Sequence, residues 1–255
     1  RLLQLIRRAV LGQALDGAYP AAVGVDREKG ARAHGPVVDE HERERRFPVE
    51  IVRRLGEMGW LGIPFPEEEG GAGLDTLAYA IAIEEIGRVW GSLGLIVAAH
   101  TSLGCGPLHL AGTPEQKERF LVPMASGKVI GGYGLTEPGA GSDAGGTRTT
   151  AELEPGDAGG TWVLYGGKRF ITNAGQAGTY IITARTGTTD KGEAEITAFI
   201  VPADTPGFSV GRLEEKLGLQ LLESEDRDEA DTLGGLIFTL VDRVPTRGEV
   251  VAHPA

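Results

Sequence analysis

The sequence has one cysteine, Cys105, which excludes a disulfide framework and any cysteine-rich metal site. It lies in Leu103-Gly-Cys-Gly and reads as a small buried residue rather than a nucleophile. The histidines His34, His41, His100, His109 and His253 are scattered, so a zinc hydrolase is excluded and no metal site is expected. No apolar run is expected to reach the ~18 residues of a membrane span. The opening Arg1-Leu-Leu-Gln-Leu-Ile-Arg-Arg8 meets charge too soon for a signal peptide, so a cytoplasmic location is expected. Positive charge is in short supply: 25 Lys and Arg stand against 36 Asp and Glu, a net charge of −11. That argues against a nucleic-acid surface, and it requires a local basic pocket for any anionic ligand.

Glycine, by contrast, is plentiful at 40 residues. Its most informative use is in Tyr133-Gly-Leu-Thr-Glu-Pro-Gly-Ala-Gly-Ser142-Asp-Ala-Gly-Gly-Thr-Arg-Thr-Thr150. Pro138 fixes its own φ and biases Glu137 toward extended backbone. Gly139 and Gly141 leave bare backbone where a bulky group can approach. Thr136 and Ser142 place hydroxyls on either side of that opening. The turn thus offers N–H groups and two hydroxyls to an anionic or heteroaromatic ligand. It is not a dinucleotide fingerprint. The spacing Gly139-x-Gly141-x-x-x-Gly145 is one residue too long, and the β-branched run Thr147–Leu153 stands where a helix is needed. On local chemistry alone, a Gly-rich hairpin loop without a ligand fits equally well.

Residues 1–30 are unassigned. Leu2, Leu3, Ile6 and Val10 have helical spacing, but Gly12, Gly17, Pro20, Gly24 and Gly30 interrupt any long helix. The charge run Asp39–Arg46 reads as a solvated helix end or loop, with no role for His41. Phe47-Pro48 opens a helix with proline at its first position. Ile51, Leu55 and Met58 form its apolar stripe, and Gly59 closes it. After a Pro/Gly-rich loop, Leu61–Gly73, the clearest helix carries Leu74, Leu77, Ala78, Ile81, Ala82, Ile86, Val89 and Trp90 on one side. Asp75 favours its start, and Glu84 and Glu85 read as its polar face. A further apolar helix is expected around Leu93–Leu103. Thr113-Pro-Glu-Gln116 is a capping box opening a helix through Leu121.

Near Gly127 the period shifts from helix to strand. Strands are predicted at Gly131–Thr136, Thr147–Leu153, Thr161–Tyr165, Lys168–Thr172, Thr179–Arg185 and Ile196–Val201. Gly166-Gly167 reads as a hairpin turn, and Asp157–Gly160 and Thr186–Gly192 as loops. The expected fold class is α+β: a helical domain over 31–127, then a small antiparallel β-barrel or sandwich over 128–219.

Three motifs carry a family resemblance. Tyr133-x-Leu-Thr-Glu-Pro-x-x-Gly-Ser142-Asp resembles the flavin-binding signature of the acyl-CoA dehydrogenases. Lys168-Arg-Phe-Ile-Thr-Asn173 resembles that family's second flavin segment, and Leu61–Gly73 its helical-domain loop. The motifs stand in the family's order, and the resemblance covers roughly residues 31 to 219. It implies FAD as cofactor and α,β-dehydrogenation of an acyl-CoA thioester. A carboxylate removes the α proton, the β hydride passes to flavin N5, and the electrons leave to an electron-transferring flavoprotein. It also implies a homo-oligomer.

Carried over, Tyr133, Leu135 and Thr136 line the isoalloxazine. Gly141 and Ser142 meet the flavin and the CoA side. Phe170, Ile171 and Thr172 close the other side, with Phe170 standing where many members have tryptophan; stacking survives that change but the indole N–H does not. The family's catalytic glutamate lies in a C-terminal helical bundle that this sequence does not show, so no catalytic residue is assigned and a truncated chain, inactive alone, is expected. Residues 220–255 instead carry the acidic run Glu223–Asp231, then Thr232-Leu-Gly-Gly-Leu-Ile-Phe-Thr-Leu240. That tail resembles part of the transporter-associated domain of hemolysin-C-like and magnesium/cobalt-efflux proteins, as in a chimera joined near Lys216-Leu-Gly-Leu219. Two alternatives stay open: a flavin-dependent oxygenase of the same family, and a non-catalytic flavin-binding or structural remnant.

Overall fold

The computed structural model describes residues 37–155 and 160–211. The expectations for residues 1–30, for most of the Asp157–Gly160 loop, for the junction at Lys216–Leu219 and for the tail 220–255 lie outside the described residues.

Helix α1 spans residues 37–44. It takes up most of the charge run that reads as solvated, and one side of it is buried. His41 is buried, with its ring 5.3 Å from that of Trp90 and its Nδ1 donating to the Arg46 carbonyl at 3.0 Å. Trp90 Nε1 donates to Glu42 Oε1 at 2.5 Å. Alternating charge hides such a face, because the burial comes from Trp90, far away in sequence.

Helix α2, Val49–Glu57, buries Ile51, Val52 and Leu55. Pro48 sits at its N-cap rather than its first helical position. Gly59 ends it as expected, in the left-handed region at φ 78, and donates to the Gly56 carbonyl. The next loop holds two 3₁₀ turns, Trp60–Gly62 and Glu67–Glu69, and buries Leu61, Ile63 and Phe65. It is drawn so tight that a Cβ on Gly71 would lie 2.1 Å from the Phe65 carbonyl oxygen.

Helix α3, Thr76–Val89, is capped by Asp75, whose Oδ1 accepts from the Ala78 N–H at 2.8 Å. Its buried side is Ala78, Ala82, Glu85 and Ile86. Leu74 and Leu77 are 49% and 66% exposed. Periodicity groups them with the core stripe, but Leu74 precedes the cap and Leu77 lies about 100° round from Ala78. Glu85 is buried too, 3.3 Å from Arg88; Glu84 is exposed and also pairs with Arg88.

Helix α4 runs over Gly91–Ala111, well past the expected end at Leu103. By length and composition it is apolar enough to cross a membrane, but 56% of its most apolar window is buried inside the fold, as in a core helix. Its middle, Ala99–Cys105, is π-helical. Helix α5 starts at Pro114–Gln116, widens into a π segment at Lys117–Leu121 and ends at Val122–Ala125. The capping box is complete: Gln116 N–H donates to Thr113 Oγ1, and Thr113 N–H to Gln116 Oε1. Each π segment ends two residues before a proline, Pro107 or Pro123. A proline cannot donate to the carbonyl four residues back, and the ladder adjusts in the turn before it.

The strands are β1 (Gly131–Gly134), β2 (Thr150–Glu154), β3 (Thr161–Tyr165), β4 (Thr179–Thr188) and β5 (Ala194–Pro202). The order of helices first and strands second is as expected. The sheet, however, is mixed and open: β1 and β2 pair with β4 in parallel, while β2–β3 and β4–β5 are antiparallel. Alternation along one strand carries no direction, and the partner of β1 lies some fifty residues on.

Since β5 covers one edge of β4, β1 and β2 share the other edge, β1 against 179–182 and β2 at Arg185. The chain between β1 and β2 is therefore extruded from the sheet at one place.

The expected strand Lys168–Thr172 is not a strand. Phe170 and Asn173 have φ of 55° and 70°, which no ladder accommodates. Gly166-Gly167 is accordingly no hairpin turn, and β3 pairs back to β2.

One core cluster joins the N-terminal helices through Val52, Leu55, Leu61, Ile86 and Val97. A second lies where α4 and α5 meet the sheet, through Phe65, Cys105, Leu121, Met124 and Ile181. β1 crosses α4 backbone to backbone: a Cβ on Gly104 would sit 3.0 Å from the Gly131 Cα.

Candidate functional site

The extruded stretch begins where β1 ends. Glu137 and Ala140 exchange backbone hydrogen bonds of 2.8 and 3.3 Å, closing a tight turn over Pro138-Gly139. Among the described residues, chain neighbours aside, no atom lies within 4 Å of a Cβ built on Gly139, and only Thr136 Cγ2, at 3.8 Å, comes near one on Gly141. The turn thus shows bare backbone to open space. Thr136 is half-buried and Ser142 exposed, and among the described residues neither hydroxyl has a hydrogen-bond partner. This is the opening the sequence implies.

The second segment, residues 166–173, is fastened beside the first. Arg169 N–H donates to the Thr136 carbonyl at 2.7 Å. Ile171 Cδ1 lies 3.3 Å from where a Gly134 Cβ would be. Phe170 is 67% exposed. Ile171 and Thr172 are half-buried, and Asn173 is buried, donating through Nδ2 to the carbonyls of Ile96 and Gly131 at 3.2 and 3.1 Å. The structure therefore brings Leu135 and Thr136 together with Phe170 and Ile171. Tyr133 differs: it packs with the α4–α5 cluster, on the face of β1 opposite Ile171 and Lys168. Among the described residues no hydrogen bond joins Ser142 to the second segment.

Lys168 and Glu137, both within the flavin motifs, carry more of the site's architecture than motif matching assigns them. Lys168 Nζ and Glu137 Oε1 meet at 2.6 Å, both side chains nearly enclosed. Burial pushes the Glu137 carboxyl up, but the Lys168 ammonium and the Arg148 and Thr149 N–H groups outweigh it and hold the pKa at about 2. His100, outside the motifs, is a third such residue. It is fully buried, accepts the Gly131 N–H on Nδ1 at 2.9 Å, and lies 3.5 Å from Cys105 Sγ through Nε2. Burial lowers its pKa to about 4, so it is neutral at pH 7. Cys105 is buried and its thiol is pushed up by burial, which fits the inert reading. No local pattern flags His100, since its partner lies 31 residues away. Glu137 does leave a signal in the sequence, as an acid inside a hydroxyl- and glycine-rich turn.

Residues 27–128 match the acyl-CoA dehydrogenase N-terminal domain, and residues 132–226 the acyl-CoA dehydrogenase middle domain. Together they cover well over half of the sequence. The chain belongs to the acyl-CoA dehydrogenase family.

Among curated relatives, the short-chain specific acyl-CoA dehydrogenase of Clostridium acetobutylicum is 48% identical over 185 residues, 72% of this chain and 48% of the relative. Among solved structures, butyryl-CoA dehydrogenase from Megasphaera elsdenii superposes with a TM-score of 0.71 at 35% identity, covering 84% of this chain and 52% of that one. An acyl-CoA dehydrogenase from Bacillus anthracis, complexed with FAD, gives 0.67 at 34% identity, covering 84% and 33%. The chain spans about half the length of the curated relatives it matches. Helices α1–α5 fall in the N-terminal-domain match and β1–β5 in the middle-domain match.

Proposed function

We propose that the chain supplies one wall of an FAD site and, within a complete enzyme, serves the α,β-dehydrogenation of an acyl-CoA thioester. The observation that carries this is the fastening of Arg169 to Thr136, which sets the two flavin-motif segments side by side. The residues present fit a flavin: an open glycine backbone at Gly139–Gly141, two hydroxyls without a partner among the described residues, and an exposed aromatic ring. Leu135 and Thr136 would line the ring; Tyr133, which packs with the α4–α5 cluster, is kept as a ring-lining residue on the family resemblance. Gly141 and Ser142 meet the flavin, and Ser142 also faces CoA. Phe170, Ile171 and Thr172 close the far side. When bound, FAD supplies the acceptor for the β hydride.

The chain's own contribution is to bind and orient the ring and to keep water from one side of it. Electrons leave to an electron-transferring flavoprotein, and the enzyme is a homo-oligomer, as the family resemblance implies. We assign the proton-abstracting base to no residue of this chain and read the chain alone as inactive. We also read residues 220–255 as a partial transporter-associated-like segment, on the runs Asp231-Thr-Leu-Gly-Gly235 and Arg243-Val-Pro-Thr-Arg-Gly-Glu249; the middle-domain match extends into its first residues, to 226.

The test is to extend the chain with the helical bundle of a close relative, load it with FAD, and add butyryl-CoA without oxygen. Bleaching of the bound flavin supports dehydrogenation; an FAD-loaded protein that binds butyryl-CoA and does not bleach contradicts it.

A further inference from the structure

The Lys168 and Glu137 side chains are 4% and 5% exposed. Lys168 Nζ donates to Glu137 Oε1 at 2.6 Å, to the Leu135 carbonyl at 3.1 Å and to Thr183 Oγ1 at 3.2 Å, so its three protons have three acceptors. The Glu137 carboxylate also takes the Arg148 N–H at 2.7 Å and the Thr149 N–H at 3.1 Å. Thr183 in turn donates to the Gly134 carbonyl at 3.3 Å. The end of β1, the turn after it, the run into β2 and the middle of β4 thus converge on one ion pair.

The segment from Lys168 to Thr172 has no strand ladder to hold it, and its Phe170 is in the left-handed region. A bulky residue stays there when its surroundings over-determine it. Buried ion pairs are poor stability devices, since a well-packed apolar pair often does as well. What this one has that an apolar pair lacks is direction: it ties Lys168 to fixed acceptors on the first segment.

Building on the proposed FAD site, we infer that Glu137–Lys168 is a positioning clamp for it, setting how the Phe170 wall is presented opposite Thr136. The pair does not touch the reacting atoms. It acts through Arg169 and Phe170, the residues next to Lys168.

The full chain tests this with FAD as the probe. Lys168→Met leaves the Glu137 carboxylate without its counter-charge and is expected to lower the unfolding midpoint. Glu137→Gln/Lys168→Met removes both charges and is expected to regain it. A clamp predicts that the double variant still shows faster hydrogen exchange at the Arg169 and Phe170 amides, by about tenfold or more, with β4 and β5 amides unchanged. It also predicts that FAD affinity, read by quenching of flavin fluorescence, stays weaker by about tenfold or more. A double variant that regains stability, protection and affinity together overturns the clamp. If the unaltered chain binds no FAD, the site reading falls by itself, and unchanged amide exchange in the double variant then refutes positioning. Should the double variant not fold, Glu137→Asp keeps the charge, shortens its reach, and is read the same two ways.

Discussion

His100 and Gly131 join the helices to the sheet through a single enclosed hydrogen bond, the Gly131 N–H donating to Nδ1 at 2.9 Å. The bond needs a neutral imidazole, because a protonated Nδ1 cannot accept. Burial holds the His100 pKa at about 4 against an ordinary 6.5. The unfolded chain therefore binds more protons than the folded one between those values, and stability rises with pH across that window. It is complete above pH 6.5 and falls on acidification toward pH 4, by about 3 kcal/mol. Denaturant titrations at stepped pH should show that slope, and His100→Asn should flatten it.

Glu137 acts in a lower window. Its folded pKa is about 2 and its ordinary value 4.5, so its contribution is present above pH 4.5 and lost as pH falls through 2. In Glu137→Gln the acid limb of stability should be shallower below pH 4.5 and unchanged between 4.5 and 6.5. Far-UV circular dichroism against pH reads both limbs.

Asn173 ties the second segment to α4 and β1 at once, through the Ile96 and Gly131 carbonyls. Asn173→Ala leaves both acceptors buried without that donor and forces alanine to φ 70. A loss of about 2–4 kcal/mol is expected in urea unfolding. Asn173→Gly removes the same hydrogen bonds but suits the backbone, and should cost about 1 kcal/mol less.

Phe170 separates fold from function. It is 67% exposed and strained at φ 55, so it does little for the core. Phe170→Gly should change stability by no more than about 1 kcal/mol, and in the favourable direction if relief of backbone strain dominates. FAD affinity should nevertheless fall by about tenfold, because the stacking face is gone. Equal FAD affinity in the variant would remove Phe170 from the flavin wall.

Features that depend on neighbours within a few residues are legible in the sequence. The capping box at Thr113–Gln116, the cap at Asp75, the stop at Gly59 and the opening at Gly139–Gly141 are of this kind, and all stand. Features that depend on distant partners are not legible. The direction of β1 is set by β4, the burial of His41 by Trp90, and the neutrality of His100 by its enclosure beside Gly131. The segment Lys168–Thr172 is expected as a strand, yet Lys168 is pulled inward by Glu137 and Phe170 turns left-handed, so no ladder forms. The site residues can be read as motifs, but the side-by-side fastening of their two segments cannot.

The most direct test is the visible absorption spectrum of the full chain after incubation with FAD and removal of free ligand, beside Thr136→Val/Ser142→Ala. The account predicts a retained flavin band in the unaltered chain that is lost in the double variant while both remain folded. A folded chain that keeps no flavin, or a double variant that keeps as much as its parent, contradicts it.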